Sequence, residues 1–175
     1  MLDKGAAFDT ALQEAQAMGY AERNPAADVE GLDACRKVCI LSALAFGFHV
    51  YPDQCATEGI SSITEEDVAA AASAHMKVKL LGRTLKTADG KVCAFVAPHF
   101  VPVSSQLYHV DGVFNGVILR GNAVGEAMFY GPGAGKLPTA SAVVGDIVEE
   151  ARNLERNLGV MWSSEKLALD RKSVV

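Results

Sequence analysis

Residues 78 to 98, VKLLGRTLKTADGKVCAFVAP, decide the fold class. Two runs rich in apolar and β-branched residues, 78–85 and 92–98, flank Ala88-Asp89-Gly90. A period near two interrupted by an Asp-Gly turn predicts a β-hairpin. A second pair of runs follows at 113–119 and 124–130 around Arg120-Gly121-Asn122, so four or more antiparallel strands are expected. Helical periods lie on both sides of these strands. The chain is therefore expected to be α+β, with an antiparallel or mixed sheet and helices packed on one face.

Downstream of the second hairpin stands Gly131-Pro132-Gly133-Ala134-Gly135-Lys136, between a strand and a helix expected from about Pro138-Thr139 to Leu154. Such a turn can bring backbone amides and a helix N-terminus up to a phosphate or a cofactor ring, and it can equally be a tight structural turn. It matches neither standard nucleotide template. A P-loop would need glycine where Tyr130 stands and a hydroxyl where Leu137 stands, and GxGxxG fails at Lys136. The last stretch, 155–175, mixes charges with a lone Trp162 and reads as a tail or linker.

Upstream, Phe8, Leu12, Ala15 and Met18 share one face of a helix expected over 6–18, with Gly19 as its stop. Pro25 biases Asn24 away from the helical region, which puts Glu22 on a loop and makes Asp28 the expected cap of a helix over about 29–46. After Lys37 that helix is almost wholly apolar, as a helix at the centre of a domain is. Residues 48–63 read as irregular with strand-like fragments. Thr64 caps a further helix through about His75, with Glu65, Glu66 and Asp67 in its first turn.

Polar chemistry concentrates between residues 15 and 37. Asp33 and Lys37 stand four apart and share a helix face. A lysine at the edge of an apolar helix ordinarily lays its stem on the protein and keeps its amine in water. If the pair instead lines a cleft, burial disfavours the ammonium while the carboxylate favours it, which leaves a group able to give or take a proton. Glu22 and Asp28 have ordinary roles as loop and cap residues. Several carboxylates near one ammonium also suit a small zwitterion whose oxygen changes protonation state.

The 175 residues are 50% hydrophobic and carry a net charge of −5. No basic stripe is present, which argues against nucleic acid as a partner. The longest largely apolar run, 38–46, is far short of the roughly 20 residues needed to span a bilayer, and no signal-peptide pattern opens the chain. A cytoplasmic protein without membrane contact is expected. Cys35, Cys39, Cys55 and Cys93 have no CxxC spacing, and His49, His75, His99 and His109 are scattered. Free apolar cysteines and no transition-metal site are expected.

Ala15, Gly19-Tyr20-Ala21, Asn24-Pro25, Asp28-Val29, Gly31, Asp33 and Lys37 together resemble the pattern of homoserine dehydrogenases. The segment 129–146, FYGPGAGKLPTASAVVGD, resembles that family's glycine-rich turn and return helix, and the likeness runs over about 1–154. It implies NAD(P)-dependent interconversion of L-aspartate 4-semialdehyde and L-homoserine, on the route to threonine, methionine and isoleucine. By matched position, Lys37 is the implied proton donor. Glu22 and Asp33 are implied to bind substrate, with Tyr20 and Asp28 lining the same pocket. Gly19, Glu22 and Gly135 are implied to lie against the cofactor, NADP or NAD.

The resemblance further implies that residues 1–137 form a substrate-binding and dimerisation domain, that 138–154 is a helix returning to a nucleotide-binding domain, and that the partner is a second copy. Ser105-Gln106 stands where relatives often carry His-Pro, which touches no catalytic role. The family's Rossmann domain, with its fingerprint, a second active-site lysine and the cation site, has no counterpart in these residues. Little or no dehydrogenase activity is therefore expected of the 175 residues alone. Two other readings compete: a non-catalytic oligomerisation module, and a nucleotide-binding regulator built on 131–135, which both failed templates disfavour.

Overall fold

Alternating apolar residues and an Asp-Gly turn produce the predicted hairpin in the computed structural model, which describes residues 8–21, 23–156, 159 and 163–166. In chain order the elements are α1 (Phe8–Ala17), α2 (Ala26–Val29), α3 (Leu32–Phe46), β1 (Phe48–His49), β2 (Ala56–Thr57), α4 (Glu65–Ser73), β3 (Met76–Lys86), β4 (Val92–Pro102), β5 (Phe114–Gly121), β6 (Gly125–Pro132), α5 (Lys136–Arg152) and β7 (Ser163–Lys166). The fold is α+β. The chain forms two compact units, Met1–Glu22 with Ala72–Lys77 and Val101–Leu158, and Arg23–Ala71 with Val78–Phe100 and Gly159–Val175.

In the second unit β4 is the central strand of the order β2-β4-β3. The β3-β4 turn closes through Thr87 N–H to Lys91 O at 2.8 Å, with Gly90 at φ +85°. β2 joins on the other edge in parallel, Ala56 opposite Phe95 and Thr57 opposite Val96. This parallel edge makes the sheet mixed, within the expected class, although two residues are too few for a sequence period to place the strand. Consecutive residues Val92, Cys93 and Ala94 are all buried, so this end of β4 is covered on both faces and its alternation is lost.

α3 packs on this sheet, and Gly82 shows how closely. A Cβ there would collide with Val38 Cγ2. The core is Cys35, Val38, Cys39, Val50, Cys55, Ala94 and Val96, with Ala34 and Leu80 against it. Ser42, fully buried, bonds Val38 O at 2.7 Å and Thr84 Oγ1 at 2.8 Å. One hydroxyl proton cannot serve both, so Ser42 donates to the carbonyl and accepts from Thr84.

Several expectations are corrected here. The helix expected over 29–46 is two helices, because Gly31 at φ +73° turns the chain between α2 and α3. Asp28 accordingly lies inside α2 and caps nothing, while Gly31 is the cap of α3 with no side-chain bond. Nor is α3 buried all round: Ile40, Leu41 and Leu44 are exposed, because the sheet covers one face only. The stretch read as a tail or linker contributes β7, which pairs in parallel with β1, Phe48 opposite Ser163. Trp162 lies outside the described residues.

In the first unit α1 ends as expected at Gly19, φ +75°, with Tyr20 N–H bonding Ala15 O at 2.9 Å. Met18 sits past the helix and is exposed. β5 and β6 form the second hairpin in the register Val117 opposite Phe129. Its turn falls at 122–124 rather than 120–122, since Gly125 at φ +69° is the left-handed residue there. Ser105 Oγ accepts from Leu107 N–H and so caps the 3-10 turn Gln106–His109.

α4 starts as predicted, Asp67 N–H donating to Thr64 Oγ1 at 3.2 Å and Thr64 N–H to Asp67 Oδ2 at 2.9 Å. It stops short of His75, which takes the left-handed φ of +56°. A residue with a Cβ pays about 1–2 kcal/mol for that conformation. His75→Gly is expected to raise the unfolding free energy by about 0.5–1 kcal/mol, part of the relief being offset by glycine's freedom in the unfolded chain. Urea unfolding of the two proteins checks this.

Candidate functional site

The sequence-predicted residues divide between the units: Gly19, Tyr20 and Gly135 belong to one, Asp28, Asp33 and Lys37 to the other. Glu22 lies outside the described residues. Asp33 and Lys37 are brought together, Lys37 Nζ reaching Asp33 Oδ2 at 2.6 Å across one turn of α3. Their side chains are 42% and 59% exposed, so the described residues do not enclose the pair in a cleft. An exposed pair of this kind stabilises a helix by only about 0.3–0.5 kcal/mol.

What holds the pair in place is the corner between α2 and α3. Ala26 N–H donates to Asn24 Oδ1 at 3.2 Å, so the Asn24-Pro25 turn leads directly into α2. The chain then reverses at Gly31, whose missing Cβ would stand 3.1 Å from Val96 Cγ1 and 3.4 Å from Thr57 Cγ2. Ile60 N–H donates to Val29 O at 2.8 Å, and buried Gly59 brings its backbone against Val29 and Glu30. Asp28, exposed, and Asp33 are therefore set by contacts with residues 57–60. Gly31 is among the residues that carry the family resemblance, whereas Gly59 carries no signal in the sequence, because its partner is thirty positions away.

In the other unit, Gly19 and Tyr20 follow α1, and Tyr20 is exposed. Two of the three glycines in the glycine-rich turn, Gly133 and Gly135, have structural reasons. A Cβ on Gly133 would overlap the Asn115 side chain, and Gly133 N–H donates to Val113 O at 2.8 Å. Gly135 takes φ +116° and opens α5, which begins at Lys136, two residues earlier than expected. A Cβ on Gly135 would find only the Pro138 ring within 4 Å, Cδ at 3.5 Å, among the described residues. The first N–H groups of a helix have no acceptor within it. From Thr139 to Arg152 every residue of α5 is exposed, including Val143, Val144, Ile147 and Val148.

All four cysteines are free and buried, as expected. Burial first, and then the neighbouring Cys35, push the Cys39 thiol up to about 11 and that of Cys55 up to about 12. Both exceed the value of 9.0 for an unperturbed thiol. The folded state therefore holds these protons more tightly than the unfolded one. That contribution to stability is whole below pH 9 and is lost as pH rises through 11 to 12. Urea unfolding between about pH 8 and 11 is expected to show falling stability with a slope that flattens in Cys39→Ala.

Residues 1–148 match the model of the homoserine dehydrogenase family. The chain belongs to that family. It is 48% identical over 155 residues to a homoserine dehydrogenase of Neisseria gonorrhoeae, covering 89% of this chain and 35% of that protein. With the Bacillus subtilis enzyme the identity is 42% over 165 residues, covering 94% of this chain and 37% of the relative. A solved homoserine dehydrogenase from Thiobacillus denitrificans superposes with a TM-score of 0.86 at 43% identity, over 96% of this chain and 40% of that one. A hyperthermophilic archaeal homoserine dehydrogenase in complex with NADPH gives 0.67 at 30% identity, over 85% of this chain and 41% of the other. The chain thus spans about a third of the length of the curated homoserine dehydrogenases it matches. No helix among the described residues is long and apolar enough to cross a membrane.

Proposed function

We propose that these 175 residues supply the substrate-binding and dimerisation portion, residues 1–137, of an NAD(P)-dependent homoserine dehydrogenase, with α5 as the helix that returns toward a nucleotide-binding portion. The reaction is the interconversion of L-aspartate 4-semialdehyde and L-homoserine, a step toward threonine, methionine and isoleucine. The observation that carries this reading is the 2.6 Å Asp33–Lys37 pair on α3, inside the stretch matched to the family. Exposure of the pair fits a cleft completed by residues of a longer protein, as the partial coverage of the relatives suggests.

Lys37 gives its proton to the aldehyde oxygen as that oxygen gains charge, and takes it back in the reverse direction. Asp33 holds the Lys37 ammonium and, with Glu22, receives the polar groups of the substrate, while Tyr20 and Asp28 line the pocket. When bound, the nicotinamide cofactor would supply hydride to the aldehyde carbon in its reduced form, NADPH or NADH, and accept it back in its oxidised form. Gly19, Glu22 and Gly135 are the residues that would lie against it. The two glycines fit the role: a Cβ on Gly19 has no described neighbour within 4 Å, and Gly135 stands at the N-terminus of α5, where backbone N–H groups favour an anion.

No strand followed by a GxGxxG turn occurs in the 175 residues, so alone they are expected to show little or no turnover. Measurable NADPH oxidation with aspartate semialdehyde by the isolated chain would overturn that expectation. The reading as an oligomerisation module draws on a different observation. Val117, Leu119 and Phe129 lie on one face of the β5-β6 ribbon and are 40%, 46% and 67% exposed, a patch suited to a second copy of the chain. Sedimentation that returns a strict monomer would remove the homodimer.

A further inference from the structure

Three thiols meet in the core of the second unit. Cys35 and Cys39 stand one turn apart on α3, Cys55 follows the 3-10 turn Pro52–Gln54, and the three sulfurs lie within 4.8 Å of one another. They are 3%, 5% and 6% exposed. Three bonds of about 2.3 Å to one pyramidal centre would hold sulfurs about 3.5 Å apart, so the three thiols, already within 4.8 Å of one another, need only small shifts to meet it. Cys39 also forms part of the wall of a cavity of about 180 Å³, shared with Arg36, Ile40, Ala43, His49, Val50 and Pro52. One member of the cluster thus borders open space. Cysteine spacing along the chain hid it, because the third thiol arrives from sixteen residues beyond the second.

We propose that Cys35, Cys39 and Cys55 form a binding site for a trivalent, thiophilic group-15 centre, the class of arsenite and antimonite. Charge chooses this class over metal cations. A divalent ion on three thiolates leaves one net negative charge and a monovalent ion leaves two, in surroundings of Val38, Val50, Ala94 and Val96 where unpaired charge is costly. A trihydroxide reacts without that cost. Three S–H bonds and three As–O bonds break, three As–S bonds form, three waters leave, no electron changes hands and the product is neutral. The bound centre ties α3, with Asp33 and Lys37 on its surface, to the segment that carries Cys55.

Intact mass measurement of the reduced chain after incubation with sodium arsenite tests the site. The expected product gains one arsenic and loses three hydrogens, persists in Cys93→Ser, and forms at least tenfold more weakly in urea, where the thiols are no longer assembled. Thermal unfolding is expected to shift upward in arsenite, since ligand binding to the folded state stabilises it. In Cys55→Ala the adduct should keep a hydroxyl and lose only two hydrogens. Because a core substitution can unfold the chain, the wild-type mass is decisive by itself. Absence of an adduct, a wild-type adduct that retains a hydroxyl, or equal binding by the unfolded chain would each overturn the proposal.

Discussion

Lys37→Ala, in a protein that joins these residues to a nucleotide-binding domain, is expected to lower kcat for aspartate semialdehyde reduction by about 10²–10⁴-fold, the usual contribution of a positioned general acid. KM should move much less, since carboxylates hold the substrate in this scheme. The variant is a clean test because the Lys37–Asp33 pair is exposed, so its loss costs the fold only a few tenths of a kcal/mol. Lys37→Arg separates proton transfer from charge. A guanidinium keeps the positive charge and can still pair with Asp33, but it holds its proton too tightly to donate it. Arginine should therefore be nearly as inactive as alanine. Activity restored by arginine would reduce Lys37 to an electrostatic role, and near-normal turnover by the alanine variant would remove it from the reaction.

Gly59→Ala carries the largest expected effect on stability. An added Cβ would stand 2.5 Å from Glu30 Cα and in collision with Val29 O, both main-chain atoms with no freedom to swing aside. The loop must retreat, which strains the Ile60 N–H to Val29 O bond and with it the corner that sets Asp28 and Asp33. The cost is expected at about 3 kcal/mol, the upper end of what overpacking causes. For a chain of this size that is a fall in Tm of roughly 6–12 °C. Circular dichroism melting gives the value directly. A Tm within about 2 °C of the parent would mean that residues 57–60 do not support the α2–α3 corner.

Much of the fold was legible because it rests on local patterns. The Asp-Gly turn at 89–90, the Thr64–Asp67 cap and the Gly19 stop each specify their geometry within a few residues, and each is found in the structure. Elements fixed by distant partners were not legible. β2 and β7 are too short to carry a period and exist because β4 and β1 receive them. The left-handed turn at Gly31 was hidden in a run that reads as continuous helix. At the candidate site, the i,i+4 spacing predicts the Asp33–Lys37 contact, but the exposure of that contact depends on which face of α3 the sheet covers.

The amino-acid sequence alone determined the α+β class, the hairpins and the family resemblance, all consequences of residue type at short spacing. Only the tertiary structure decided that α3 buries one face and leaves Ile40, Leu41 and Leu44 outside, that Gly59 and Gly82 admit close neighbours, and that three cysteines separated by up to twenty positions bring their sulfurs within 4.8 Å of one another. The physical reason is the same in each case. A side chain's local conformation depends on its neighbours along the chain, whereas its burial and its reacting partners depend on which surfaces the folded chain brings against it.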